Sequence, residues 1–542
     1  MSLRLDAPLL GAAHVVDPAV FHRRGIQIRT ASFFKQTKYN LLREESEGYA
    51  SVLVALLTHS APPLEVDAHG AVQASATDAE LDAHADALLQ RLWALIGYFA
   101  LDASRVLDLL LAVFTKHVAH QHPFYVRVLA RGRWGAPRLA QVLGQQLAYY
   151  AQPDTRDDAP EELFLVLALL VRAGLVAWPE MYPYLAPDDT MARLQSAYEE
   201  ALAAQGAAGA NALTMAAPLV DDDAPAEAQA APAAPAARAA APCAHAPMAV
   251  RAMLACGLLE PVQPFLAQHP WVLGAFPSVT RAYLRLVWHR LAPALERIAL
   301  PTPRVPSVHR VPVLTVYAPE PRPSATHTFV FCVGDWAAHL TPETDAAAVL
   351  PMLAPVGVHI AQDARLLQVL CRFAAQAMDR APWMQLLRTQ VLPAVALAEA
   401  GAPLLYELWA CVQTLSYPER YALYGEWKHR AFQRRELRAA KAATEREARG
   451  ILRRVSADNV RASGRSLAKA AHTNPTVFFD VVLHQVQSYD NLIEPVVDAA
   501  KYLTPLEYDV CSYALLEALA NPARARIKSD GTHASLWLNS LA

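Results

Sequence analysis

The sequence predicts an all-α chain, an irregular α-solenoid of helical hairpins of the HEAT-like kind, and three observations carry that reading. Apolar residues recur at helical spacing along most of its 542 residues. Glycine is scarce (20) and proline plentiful (40), which argues against hairpin-rich β architecture and for punctuation between helices. Helix-start signals recur ahead of the periodic segments. With 54% hydrophobic against 18% charged residues, the chain has enough apolar surface to offset its ordering entropy.

In chain order, Tyr49, Val52, Leu53, Leu56 and Leu57 form one helical stripe. Val106, Leu109, Leu110 and Val113 repeat the spacing, while Leu107, Leu111 and Phe114 cover another side. A helix apolar on several sides is one packed between neighbours. The longest apolar run, Leu163 to Val171, is closed by Arg172, well short of the roughly 20 residues of a membrane span. Residues 204–247 break the pattern with Ala-Pro repeats and the acid run Asp221 to Asp223, a disordered Ala/Pro-rich linker. A short β excursion is expected near 311–333, where Val311 to Tyr317 and Thr328 to Val333 are β-branched and aromatic. Pro312 confines the first of these to an edge or a strand start. Ser416-Tyr-Pro-Glu419 and Thr504-Pro-Leu-Glu507 read as capping boxes, and Asn474-Pro475 as a cap with its first turn. The organisation is a helical block at 18–203, the linker at 204–247, and a second helical block at 248–542, expected to be truncated at its C-terminal end.

The formal net charge of −3 excludes a globally basic nucleic-acid binder. Six irregularly spaced cysteines (Cys243, Cys256, Cys332, Cys371, Cys411, Cys511) form no CxxC pair and read as reduced thiols in an intracellular compartment. No phosphate-binding glycine loop, HExxH or GxSxG elbow is found. His117, His120 and His122 lie close together, but with no further ligand in view they read as surface histidines. No catalytic, cofactor or metal residue is assigned, and the chain is read as non-enzymatic.

The strongest charge feature is Lys428 to Lys469, with thirteen Lys and Arg against four acids. At 100° per residue, Arg434, Arg435, Arg438, Lys441, Arg446, Arg449 and Arg453 fall within an arc of about 140°. Leu437, Ala440, Ala448, Ile451 and Val455 lie largely on another side. Such a ridge suits a phosphate backbone or an acidic partner. Its competitor is a solvated face laced with ion pairs, for which Glu445, four residues from both Lys441 and Arg449, speaks. The aromatic stretch Tyr417 to Trp427 is expected to be a packing core.

Several stretches carry a more specific likeness. Phe33-Phe-Lys-Gln-Thr-Lys-Tyr-Asn-Leu-Leu-Arg-Glu-Glu-Ser-Glu-Gly-Tyr49 resembles the signature segment of the subunit-two family of the THO complex, its largest scaffold subunit. Arg420-Tyr-Ala-Leu-Tyr-Gly-Glu-Trp-Lys428, Asn459 to Arg465, His472 to Pro475, Tyr489 to Asp498, Lys501 to Thr504 and Glu517 to Pro522 continue the resemblance in the same order. The positions that carry it are Lys38, Tyr39, Asn40, Arg43, Glu44, Glu45, Gly48, Tyr49, Tyr424, Gly425, Trp427, Asn474, Pro475, Asp490 and Asn491. The resemblance implies a nuclear, non-enzymatic scaffold of the THO/TREX complex that couples transcription elongation to mRNA processing and export. It implies as partners the other THO subunits, a DEAD-box RNA helicase and the nascent mRNA, met directly or through those partners, and no membrane. Direct RNA or DNA binding through the basic helix at 434–453 is the alternative. The family's basic C-terminal tail has no counterpart before Ala542, so the chain is expected to be a fragment.

Overall fold

A computed structural model describes residues 12–13, 17–58, 61–62, 65–66, 72–73, 76–152, 154–155, 158–187, 189–214, 243–298, 345–377, 379–398, 401–455, 460–522, 526–527 and 533–541. The chain is all-α and divides into two compact units, one within Met1–Leu185 and one within Ala186–Pro323 and Val333–Ala542. The excursion expected at 311–333 lies outside the described residues. The paired strands that are described, β1 (Glu65–Val66) and β2 (Val72–Gln73), form a two-residue antiparallel ribbon with Val66 opposite Val72.

In the first unit, α1 (Pro18–Arg43) starts where Asp17 accepts the Ala19 N–H at 2.9 Å. It passes through a π-turn at Glu44–Gly48 into α2 (Tyr49–Thr58). Next come α3 (Asp78–Phe99), α4 (Ala103–Arg131), α5 (Ala136–Tyr150), α6 (Glu161–Arg172) and α7 (Trp178–Leu185). The α3–α4 hairpin meets along Leu88, Leu92, Val106, Leu110 and Phe114, all at most 2% exposed. Arg127 and Arg131 clamp its rim on Asp78, Asp82 and Asp86. On α6 every residue from Leu163 to Leu170 is buried, as an apolar run too short to span a membrane should be in a packed core. Among the described residues no helix is long and apolar enough to cross a membrane.

The stripe expected on α2 is corrected in part. Val52 and Leu56 are fully buried, and Ala55 joins them, whereas Leu53 and Leu57 are 37% and 63% exposed. The physical reason is one-sided cover: α2 packs against α3 and α4, which shelter a face centred near Val52 and Ala55 and leave the opposite flank open.

The second unit contains α8 (Thr190–Thr214), α9 (His245–Ala255), α10 (Pro277–Ile298), α11 (Ala364–Gln376), α12 (Ala402–Val412), α13 (Tyr417–His429), α14 (Arg435–Leu452), α15 (Val460–Thr473), α16 (Pro475–Val486), α17 (Ile493–Ala500) and α18 (Pro505–Ala520). A short helix, Leu536–Leu541, follows. Helix α8 therefore continues to Thr214, into the span read as linker, of which 215–242 lie outside the described residues. Pairs of helices pack as α9 on α10, α11 on α12, α15 on α17 and α16 on α18, while α14 lies against α8, α15 and α16.

Both capping boxes form. Glu419 Oε2 accepts from Ser416 N at 2.9 Å, and Glu507 Oε2 from Thr504 N at 2.6 Å. At Asn474–Pro475 the helix starts as expected, but the Asn474 side chain makes no cap bond. Its Nδ2 donates instead to Thr444 Oγ1 at 2.8 Å, tying α16 to α14 between two buried residues. Of the five described cysteines, Cys243, Cys256, Cys371 and Cys411 are buried and Cys511 is half-buried.

Candidate functional site

The first signature segment lies across the end of α1, the π-turn and the start of α2. Lys38, Tyr39 and Asn40 are exposed, with Asn40 accepting from Gln36 at 3.2 Å. Arg43 anchors the base of the helix. Its Nη2 donates to the Tyr98 carbonyl at 2.9 Å, and the guanidinium lies 4.6 Å from the Tyr98 ring and 5.1 Å from the Phe99 ring. Glu44 accepts from the Tyr49 hydroxyl at 2.9 Å, and Arg105 covers the Tyr49 ring at 4.9 Å. Burial and the Glu44 bond push the Tyr49 pKa up. Gly48 is needed for the close approach of this turn to the α3–α4 corner, because a Cβ there would sit 2.5 Å from Leu101 Cδ2 and 3.2 Å from Phe99 Cβ. Glu45 falls inside the π-turn. The segment is thus an elbow whose base is packed and whose N-terminal arm is exposed.

The second signature segment is α13, and the expectation of a packing core holds for its inner face. Tyr424 is fully buried and Trp427 is 2% exposed, while Tyr417 remains 66% exposed at the helix start. Gly425 faces Tyr513 on α18; a Cβ there would lie 3.2 Å from the tyrosine hydroxyl. Arg420 forms a two-pronged pair with Asp509 of α18 at 2.8 and 3.2 Å, and the Tyr424 hydroxyl donates to the same carboxyl group at 2.9 Å. Burial and the Asp509 charge push the Tyr424 pKa far up. At the other end of α13, Lys428 Nζ reaches Asp480 at 2.6 Å and Glu517 at 2.7 Å, and His429 Nε2 meets Glu517 at 2.7 Å. These are structural ties between α13, α16 and α18. Pro475 is buried at the start of α16, and Asp490 and Asn491 are exposed in a one-turn 3-10 helix, where Asp490 accepts from Ser540 at 2.7 Å. Neither Asp509, Asp480 nor Glu517 was singled out from the sequence as a partner, since each lies 52–89 positions from the residue it binds.

This network makes folding sensitive to acid. Burial acts to raise the Glu517 pKa, but the hydrogen bonds from Lys428 and His429 outweigh it and hold the carboxyl below its usual value. A carboxyl group whose folded pKa is depressed gives stability above its unfolded pKa, near 4.3, and loses it as pH falls through the folded value. The urea midpoint of the wild-type chain is therefore expected to fall more steeply between about pH 5 and 3 than that of Glu517→Gln. Parallel curves for the two proteins would show that the pairs contribute nothing.

The basic ridge resolves into two sets. On α14, Arg435 pairs with Glu199 of α8, while Lys441 and Arg449 straddle Glu445 at 3.9 and 3.7 Å. Arg438 donates to the Gln433 carbonyl at 3.3 Å. Arg434, Arg446 and Arg453 are exposed and, among the described residues, have no ion-pair partner. The inner seam is Leu437, Thr444, Ala448 and Leu452, with Ala440, Ile451 and Val455 half-buried beside it. His117 and His120 are exposed on α4, with His117 stacked against Tyr125. Among the described residues no cluster of His, Cys, Asp and Glu has the arrangement of a metal site.

Comparison with known proteins accounts for both signature segments. Residues 1–465 match the family described as THO complex subunit 2 N-terminus, and residues 467–542 match a family described as transcription- and export-related complex subunit. The human THO complex subunit 2 is 30% identical over 562 residues, which takes in 99% of this chain and 32% of that protein. The Arabidopsis thaliana relative is 27% identical over 548 residues, 95% of this chain and 28% of its own length. The Saccharomyces cerevisiae relative is 24% identical over 319 residues, 53% of this chain and 20% of its own. The chain spans about a third of the length of the human relative. With its helical units and both signature segments falling inside those matches, the chain belongs to the THO complex subunit 2 family.

Proposed function

We propose that the chain acts as a non-enzymatic helical scaffold within a nuclear THO complex, presenting outward helix faces to the other THO subunits. The observation that supports this best is the family match running along essentially the whole of an all-α chain. In this reading the assembly couples transcription to mRNA processing and export, and a DEAD-box RNA helicase and the transcript meet the scaffold through it. Stacked helices suit the task, since hairpins that bury their apolar stripes against neighbours leave long outer surfaces for partners. Tagged chain recovered from nuclear extract of its own cells is expected to bring down the other THO subunits; recovery without any of them would sink the reading.

A second reading is direct contact with RNA or DNA through α14, favoured by Arg434, Arg446 and Arg453, which are exposed and have no ion-pair partner among the described residues. Each phosphate contact on a single strand contributes about 0.7 to the slope of log affinity against log salt. Reversing these three charges to glutamate is expected to reduce that slope by about 2 in filter binding to single-stranded RNA. An unchanged slope removes α14 as the contact.

A further inference from the structure

The feature that internal packing does not use is α1. Every side chain described from Val20 to Leu42 is exposed, including Ile26 at 52%, Ile28 at 56%, Phe33 at 68%, Phe34 at 66%, Leu41 at 52% and Leu42 at 56%. Elsewhere in the unit, most side chains of this kind form the core. The same helix holds six cations, Arg23, Arg24, Arg29, Lys35, Lys38 and Arg43, and no acid. None of the first five forms an ion pair among the described residues, and Arg43 is the anchor at the base.

The angular distribution narrows what covers it. At 100° per residue, Ile26 and Phe33 share one side, Phe34 and Leu41 a second, Ile28 and Tyr39 a third. A helix apolar on three sides does not lie on a bilayer surface, where a surface helix needs one apolar and one polar face. Nucleic acid would neutralise the cations but leave the phenylalanines and leucines in water. A second copy of the chain would bring six more cations against these six, with no acid on the helix to offset them. Alone, the helix has no acidic side chain to form i,i+4 ion pairs and little tertiary packing, the source of most helical stability in proteins.

We infer that α1 is a donated helix, enclosed along its N-terminal arm by a cleft in a partner protein that has an apolar floor and acidic walls. The π-turn and the Arg43, Tyr98 and Gly48 contacts hold the arm away from the body, and exposed Leu53, Leu57 and Tyr98 extend the apolar surface to its foot. Enclosure satisfies both halves of the chemistry at once: it buries the large apolar side chains on every side and pairs the cations around them. The inference rests on the scaffold reading, and it names the chemistry of one partner and the element that partner grips.

Hydrogen–deuterium exchange on the full chain, alone and reconstituted with the other recombinant THO subunits, tests it. The amides of α1 are expected to exchange rapidly in the free chain and to slow at least tenfold on assembly. A zero-length carboxyl-to-amine cross-linker should join Lys35 or Lys38 to aspartate or glutamate of one subunit. Two variants should each weaken that subunit's binding at least tenfold while leaving the circular dichroism of the chain intact: Phe33→Asp with Leu41→Asp, and Arg29→Glu with Lys35→Glu and Lys38→Glu. Assembly with α1 still unprotected would overturn the inference and leave the scaffold reading standing, whereas absence of any assembly would overturn both. Protection of α1 by single-stranded RNA alone, by phosphatidylserine vesicles, or by self-association of the chain would each overturn it in favour of that occupant.

Discussion

Replacing Glu507 by alanine is expected to destabilise the second unit by about 3–5 kcal/mol, read as a drop in the urea midpoint. This side chain is fully buried and its two oxygens serve three donors or partners at once. Oε2 accepts from the Thr504 backbone N–H at 2.6 Å and from its hydroxyl at 2.9 Å, while Oε1 meets His472 Nδ1 at 2.6 Å. The first of these bonds is the Glu507 half of the capping box of α18, whose other half is the Glu507 N–H given to the Thr504 side-chain oxygen, and a cap is worth about 1 kcal/mol in an ordinary surface helix. Here the cap is inside the fold: Thr504 is 2% exposed. Truncation leaves the Thr504 N–H, its hydroxyl and the imidazole short of partners, and an unmet buried polar group costs about 1–3 kcal/mol. The exposed box at Ser416 and Glu419 is the internal control. Glu419→Ala, which loses the matching two bonds to Ser416 in water, is expected to lower the urea midpoint far less. Equal losses at the two boxes would show that burial does not amplify the cap.

The contrast between the two boxes also shows what the sequence can carry. Ser416 to Glu419 and Thr504 to Glu507 read alike, because a capping box is a local pattern within four residues. Helix starts, the buried run at Leu163 to Leu170, and the inward face of α13 were legible for the same reason: period and caps are short-range signals. What the sequence could not carry is which side of a helix meets a neighbour. On α2 the apolar stripe is broader than its cover, so Val52 and Leu56 are buried but Leu53 and Leu57 are not. At Asn474 the side chain gives up a local cap for Thr444 on another helix, a choice set by packing 30 positions away. The ridge on α14 was legible as charge, and Glu445 foretold its pairing with Lys441 and Arg449. The pair of Arg435 with Glu199, 236 positions distant, was not. Nor was the exposure of α1, since apolar residues on several sides of a helix ordinarily signal burial. Under the proposed scaffold reading, that same pattern marks burial in a partner.

Replacing Asp509 by alanine is expected to lower stability by about 3–5 kcal/mol, the range found when one member of a buried pair is removed. Asp509 is the hub of the aromatic end of α13. It holds Arg420 by two bonds and accepts a hydrogen bond from the hydroxyl of Tyr424, a fully buried residue. The side chains of Arg420 and Asp509 are 17% and 13% exposed, so little water is at hand to replace the carboxylate. Removing it leaves a shielded guanidinium with its remaining contacts, the Leu415 carbonyl at 2.8 Å and the Trp409 ring at 5.7 Å, and a phenol with no acceptor. The size of the loss would reflect that stranded charge rather than the net worth of the pair, and the two can be separated. Arg420→Met combined with Asp509→Leu removes both charges and keeps much of the volume, and such double replacements are often neutral or stabilising. The double variant is therefore expected to recover most of what Asp509→Ala loses. If it instead lies as low as the single variant, the pair itself holds α13 against α18, and the motif from Arg420 to Lys428 owes its form to that bond as well as to the packing of Tyr424 and Trp427.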